Sequence, residues 1–188
     1  TVFVREGVAK RLAEATKYYL PPGYMLLVWD GFRPIPVQGG LFDGHVVRRV
    51  GSGELREFVM VDGQRFVSIP SDDLTQPPPH NTGAAVDLTI ICFQADVWKR
   101  MEKLNKVAGQ TETEKNWREI YGAEMERQQL IRESAMPLPM GTVFDGVHPE
   151  TMTRYFEDLA STRYLLKEQN ECRENRRLLW TVMTAAGF

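Results

Sequence analysis

The pattern of apolar residues predicts an α+β fold, in which a small, mainly antiparallel sheet is backed by helices. Three observations carry that expectation. Val8, Leu12, Ala15 and Tyr19 recur at helical spacing, with charged residues between them. Two short apolar runs, Tyr24 to Trp29 and Ala84 to Ile91, are each bounded by proline, glycine or aspartate, as buried strands are. Phe58-Val59-Met60-Val61 and Arg65-Phe66-Val67-Ser68-Ile69 flank Asp62-Gly63, a pair that favours a tight hairpin turn.

The 188 residues, 43% hydrophobic and 26% charged, suffice for one core, and the whole chain 1–188 is expected to form a single domain. A net charge of −2 with both signs interspersed gives no electrostatic case for nucleic acid. No apolar run approaches the length of a membrane span, so the expected partner is a small molecule. Cys92 and Cys172 are too few for a disulfide framework and are expected to be free thiols, Cys92 buried. The chain starts at Thr1 without an initiator methionine, and its expected compartment is cytoplasmic or periplasmic, cytoplasmic first.

The first helix should run from about Arg5 to Leu20 and end at Pro21-Pro22-Gly23. A second, weakened by Gly39, Gly40 and Gly44, covers Val37 to Val50 and contains His45. After Ile91, Val97, Met101 and Leu104 mark a helix. A polar gap at Gly109 to Thr113 then separates it from a charged helical stretch over Glu114 to Glu133. Two helices, Met152 to Lys167 and Asn170 to Ala185, close the chain, with Gly187 as a C-cap.

The chemistry concentrates in Pro77-Pro78-Pro79-His80-Asn81-Thr82-Gly83 and the strand that follows. The prolines impose an extended approach, Gly83 permits a turn, and His80 and Asp87 flank it. An imidazole and a carboxylate are both good zinc ligands, and a turn can bring them to one ion. The same spacing suits a loop histidine and a strand-end aspartate that bond to backbone. His45 and His148 are expected to be ordinary helix and loop side chains.

Four blocks in order add a resemblance: WDGFRP at Trp29 to Pro34, HNTGAAVDLTI beginning at His80, MGTVFD at Met140 to Asp145, and NRRLL with a final GF. The sequence resembles the zinc D-alanyl-D-alanine dipeptidases of the vancomycin-resistance type, within the wider zinc D,D-peptidases. Residues from about 93 to 139 fall outside the matched pattern and are expected to form an inserted helical pair at an edge of the cleft.

The resemblance implies zinc as cofactor in a cleft on one face of the sheet, with His80 and Asp87 as ligands. It gives Arg33 the catalytic role of stabilising charge on the attacked carbonyl oxygen, a role suited to a guanidinium. Asp145 would orient a ligand or hold the substrate's amino group, although it also suits a turn cap, and Thr82 is expected beside the substrate or behind a ligand. The substrate would be the D-alanyl-D-alanine dipeptide. The family's late Glu-x-x-Trp-His, source of a third ligand and a general base, has no counterpart here, which implies a C-terminally truncated chain that is inactive as written. Pro78 stands where many relatives carry serine. A D,D- or L,D-carboxypeptidase or endolysin on the same scaffold is an alternative, and so is a non-catalytic binder of cell-wall peptides.

Overall fold

The computed structural model describes residues 1–50, 60–61, 64–65, 68, 71–73, 75–143 and 148–188. The fold is α+β, with six helices and a three-stranded antiparallel sheet among these residues. Helix α1 (Glu6–Glu14) runs into a π-helical turn, Ala15–Tyr19, which stops where Pro21 and Pro22 remove backbone donors. Strand β1 (Tyr24–Asp30) follows, and then helix α2 (Ile35–Val50) begins with Pro36 in its first turn, where a missing N–H costs nothing.

Strands β2 (Met60–Val61) and β3 (Gln64–Arg65) pair antiparallel, and the expected turn residues Asp62 and Gly63 lie outside the described residues. The outer parts of that expected hairpin, Phe58, Val59, Phe66, Val67 and Ile69, lie outside the described residues. Strand β4 (Asp87–Cys92) starts three residues later than the sequence suggested. The chain before it turns through a 3-10 segment, Pro79–Thr82, and Gly83 then adopts a left-handed φ of 67°.

Helices α3 (Ala95–Ala108) and α4 (Trp117–Ser134) form the expected helical pair, joined across their faces by Arg100 and Glu126 at 2.6 Å. Strand β5 (Met136–Pro137) pairs with the end of β4, and its proline is tolerated on the sheet edge. The expected helix Met152 to Lys167 is shorter. Helix α5 (Tyr155–Thr162) ends where Arg163 is extended at φ −159°, and helix α6 (Lys167–Ala185) starts afresh behind a cap from the Gln169 side chain to the Leu166 N–H. Ser161 and Thr162 promote the break by turning their hydroxyls onto the carbonyls of Asp158 and Leu159.

The sheet order is β1-β4-β5. Tyr24 faces Cys92 and Leu26 faces Ile90, and this face of the sheet packs with Ala15, Leu20, Val182 and Ala186 from the π turn and α6. Asp87, Thr89 and Ile91 point to the opposite face, because side chains alternate along a strand. Both cysteines are free, but Cys172 is the buried one and Cys92 is half-buried. Cys92 lies at the short end of the sheet, where its Sγ meets the Met136 carbonyl.

Arg176, in the NRRLL block, gathers the chain around α6. Its guanidinium donates to the carbonyls of Met140 at 2.7 Å, Met152 at 2.9 Å and Glu150, and stacks 4.6 Å from the Phe156 ring centroid. Gly141 of the MGT block fits under the same ring. It has a φ of 85°, and a Cβ there would lie 2.5 Å from the Phe156 ring. Gly141→Ala therefore combines backbone strain with overpacking and should destabilise the fold by about 1–3 kcal/mol in denaturant titration. A loss below about 0.5 kcal/mol would mean that the ring moves aside freely.

Candidate metal centre

Strands β1 and β4 run in regular antiparallel register from Tyr24↔Cys92 to Val28↔Leu88, and then the register slips so that Asp30 faces Asp87. Trp29 is the extra residue. Without this bulge Asp30 would share the face of Val28; with it, Asp30 joins Asp87 on the other side. Two carboxylates directly opposite each other repel, so the position demands positive charge.

Arg33 supplies the first such charge. Its Nε and Nη2 donate to Asp30 Oδ2 at 2.9 and 2.6 Å, and Nη2 lies 3.5 Å from Asp87 Oδ2. The turn that carries it is tight. Asp30 Oδ1 accepts the Gly31 N–H at 2.7 Å, and the Phe32 N–H donates to the Phe3 carbonyl at 2.6 Å. Gly31 is required by close approach, because a Cβ would sit 2.5 Å from the Phe3 oxygen.

His80 reaches the same place from the 3-10 turn. Two hydrogen bonds hold it there: Arg33 N–H donates to the His80 carbonyl at 3.1 Å, and the Asn81 side-chain Nδ2 donates to the Arg33 carbonyl. The N-terminal segment clamps the far side, with Arg5 N–H on the Gly83 carbonyl at 2.9 Å and Arg5 Nε on the Thr82 carbonyl at 2.7 Å. His80 Nδ1 lies 2.8 Å from the Gly31 carbonyl, an acceptor, so this nitrogen keeps its hydrogen. Nε2 then faces Asp87 Oδ1 at 3.4 Å with its lone pair free in the neutral ring.

One ligand atom each from Asp30, His80 and Asp87 lies within 4.8 Å of the others, an arrangement that can hold a metal ion. The fixed Nδ1–H is the orientation that metal-binding imidazoles adopt when a carbonyl accepts their second nitrogen. Charge favours the same conclusion, since Arg33 offsets only one of two carboxylates.

The hydrogen bond to Asp87 raises the pKa of His80 above its usual 6.5, against burial, which lowers it, while the Gly31 carbonyl adds to the rise. Burial alone would push the Asp30 carboxyl up. The hydrogen bonds from Arg33 and Gly31, with the charges of Arg33 and His80, outweigh it and hold Asp30 below the ordinary carboxylate range.

The structure thus brings together Arg33, His80 and Asp87, which the sequence singled out, and adds Asp30, which it had not counted as a ligand. The signal for Asp30 was present only as its place in WDGFRP, because the face of a strand-end residue depends on a cross-strand bulge. Thr82 lies in the turn, and its hydroxyl is used there: it donates to the Pro79 carbonyl at 2.6 Å and accepts the Ala84 N–H at 3.1 Å. Asp145 lies outside the described residues. His45 is in α2, its side chain outside the described part, and His148 is exposed ahead of a 3-10 turn.

No protein-family model and no solved structure matches the chain. A D-alanyl-D-alanine dipeptidase from Synechocystis sp. (strain ATCC 27184 / PCC 6803 / Kazusa) is 25% identical over 197 residues, covering 98% of this chain. The chain is similar to this dipeptidase along nearly its whole length. It spans 64% of that relative's length. Among the described residues no helix is long and apolar enough to cross a membrane.

Two expected outcomes follow for metal binding. In chelator competition, His80→Ala and Asp87→Ala should each lose divalent-metal affinity by more than Asp30→Asn does, whose loss should be about 10–100-fold, since its oxygens are already shared with Arg33 and Gly31. Equal affinity in wild type and His80→Ala would dismiss the cluster as a metal centre. Binding must also expel the His80 proton, so affinity should be full above the raised His80 pKa and fall by about tenfold per pH unit below it. Calorimetry in buffers of different ionisation enthalpy, just above pH 6.5, should therefore register proton release; buffer-independent heats there would contradict the raised value.

Proposed function

We propose that the protein carrying this chain is a zinc-dependent dipeptidase that hydrolyses D-alanyl-D-alanine to D-alanine. The observation that carries the reading is the meeting of His80 Nε2 and Asp87 Oδ1 beside the Arg33 guanidinium, with His80 Nδ1 already committed to Gly31. The similarity to the Synechocystis sp. dipeptidase supports the same substrate.

His80 and Asp87 would hold the zinc, with Asp30 close enough to add an oxygen. Zinc in such a donor set supplies Lewis acidity toward a carbonyl oxygen and lowers the pKa of water to near neutrality. The chain's own residues supply the rest. Arg33 is always charged, its side chain retains 11% exposure, and Asp30 Oδ2 anchors its Nε and Nη2. As the attacked carbonyl oxygen gains charge, Arg33 donates to it and stabilises it. Asp30, held below the ordinary carboxylate range, is a weak base and acts as the anchor of Arg33 rather than as a proton acceptor. Gly31 fixes the His80 tautomer through its carbonyl and Asp30 through its N–H.

The test is D-alanine release from D-alanyl-D-alanine by the natural full-length protein with and without zinc. Release should require zinc, and Arg33→Ala should keep the metal while losing about 10²–10³ in kcat, the scale of one lost oxyanion donor. His148→Ala should remain within twofold of wild type. Cleavage of peptidoglycan stem peptides in place of the free dipeptide would move the reading to a carboxypeptidase or endolysin, and zinc-independent binding without turnover would move it to a cell-wall-peptide binder.

A further inference from the structure

Gln38, in the first turn of α2, is 1% exposed, and burial of an amide is costly unless both its ends are bonded. Both are. Oε1 accepts from Arg33 Nη1 at 2.8 Å, and Nε2 donates to the Ser68 carbonyl at 2.8 Å. The orientation of the amide is unambiguous, because a guanidinium only donates and a carbonyl only accepts.

Asp30 by itself does not fix the plane of Arg33. The bonds from Nε and Nη2 converge on a single oxygen, Oδ2, so they form a pivot rather than a two-point fork. Gln38 holds the third nitrogen and closes the rotation about that pivot. It does so from a rigid element, since its own N–H is bonded to the Pro34 carbonyl at 3.0 Å. Its neutrality matters too: a glutamate here would set a third carboxylate against one guanidinium and draw charge away from the cleft.

We infer that Gln38 is a positioning residue that fixes the angle at which Arg33 faces the metal cluster and, on the function proposed above, the substrate carbonyl. A displacement of about 1 Å at such a group costs on the order of 10²-fold in rate. The residue contacts none of the candidate metal ligands in the hydrogen bonds it makes, so its effect should pass through Arg33 and leave the metal in place.

The experiment follows the Arg33 side chain by ¹⁵N NMR in the metal-loaded protein, alongside zinc affinity by chelator competition and D-alanine release. In the wild type the two Nη groups of Arg33 should be resolved, with a cross-peak to the Gln38 side chain; averaged Nη signals there overturn the inference without any variant. In Gln38→Met the guanidinium should rotate about tenfold faster or more, with zinc affinity within threefold of wild type and kcat reduced at least about tenfold at a KM within twofold. Gln38→Glu keeps the acceptor for Nη1 and should restore the slow rotation. Unchanged rotation in Gln38→Met, or loss of zinc together with kcat, would overturn the positioning role. If the wild type hydrolyses no dipeptide, the function proposed above fails, while the rotation of Arg33 still decides the role of Gln38.

Discussion

Two carboxylates, Asp30 and Asp87, face each other across the end of an antiparallel pair, and much of what surrounds them serves to make that tolerable. A pair of like charges directly opposed in a sheet is unfavourable, and here a one-residue bulge creates the opposition deliberately. Arg33 answers one negative charge. The second is answered by a protonated His80 or by a cation, and these two compete for the same place. The raised pKa of His80 and the capacity of the cluster to hold a metal are therefore two expressions of one electrostatic imbalance.

That imbalance is held in place by hydrogen bonds onto the backbone carbonyls of the flanking turns. The turn after β1 and the turn before β4 are bonded directly through Arg33 N–H to His80 and Asn81 to Arg33, and the N-terminal residues bridge both turns through Phe3 and Arg5. Gly31 and Gly83 permit the approach, one by lacking a Cβ and the other by its left-handed φ. Charged groups kept close by such a frame need not pay again in side-chain ordering when a ligand arrives, which is the physical content of preorganisation.

The helices, the two long strands and the turn that carries His80 toward Asp87 were legible in the sequence, because each rests on a local signal: apolar period, proline and glycine punctuation, and residue chemistry at a turn. What escaped depended on distant chain. The bulge at Trp29 exists only in relation to β4, so neither the flip of Asp30 nor its place in the cluster follows from WDGFRP read alone. Strand β5 is two residues long and contains a proline, and only pairing to Cys92 and Ile91 makes it a strand. The break between α5 and α6 comes from hydroxyls that turn back on the backbone, a choice open to serine and threonine anywhere in a helix. Nothing local in the sequence singles out Gln38; its burial does, and burial is not a local property.

The four sequence blocks behind the family resemblance divide into two kinds once their contacts are known. WDGFRP and HNTGAAVDLTI build the cluster itself: the first supplies the bulge, Asp30, the Gly31 carbonyl and Arg33, and the second supplies the turn, His80 and Asp87. MGT and NRRLL serve the scaffold in every contact described. Gly141 makes room for the Phe156 ring, and Arg176 closes three carbonyls of the 140–152 segment over α6. The two pairs of blocks therefore rest on different physical reasons, a polar cluster in one and close packing in the other. The distinction bears on which substitutions are informative. Changes in the first pair act on the Asp30, His80 and Asp87 cluster and on Arg33, whereas a change at Gly141 or Arg176 acts on stability first.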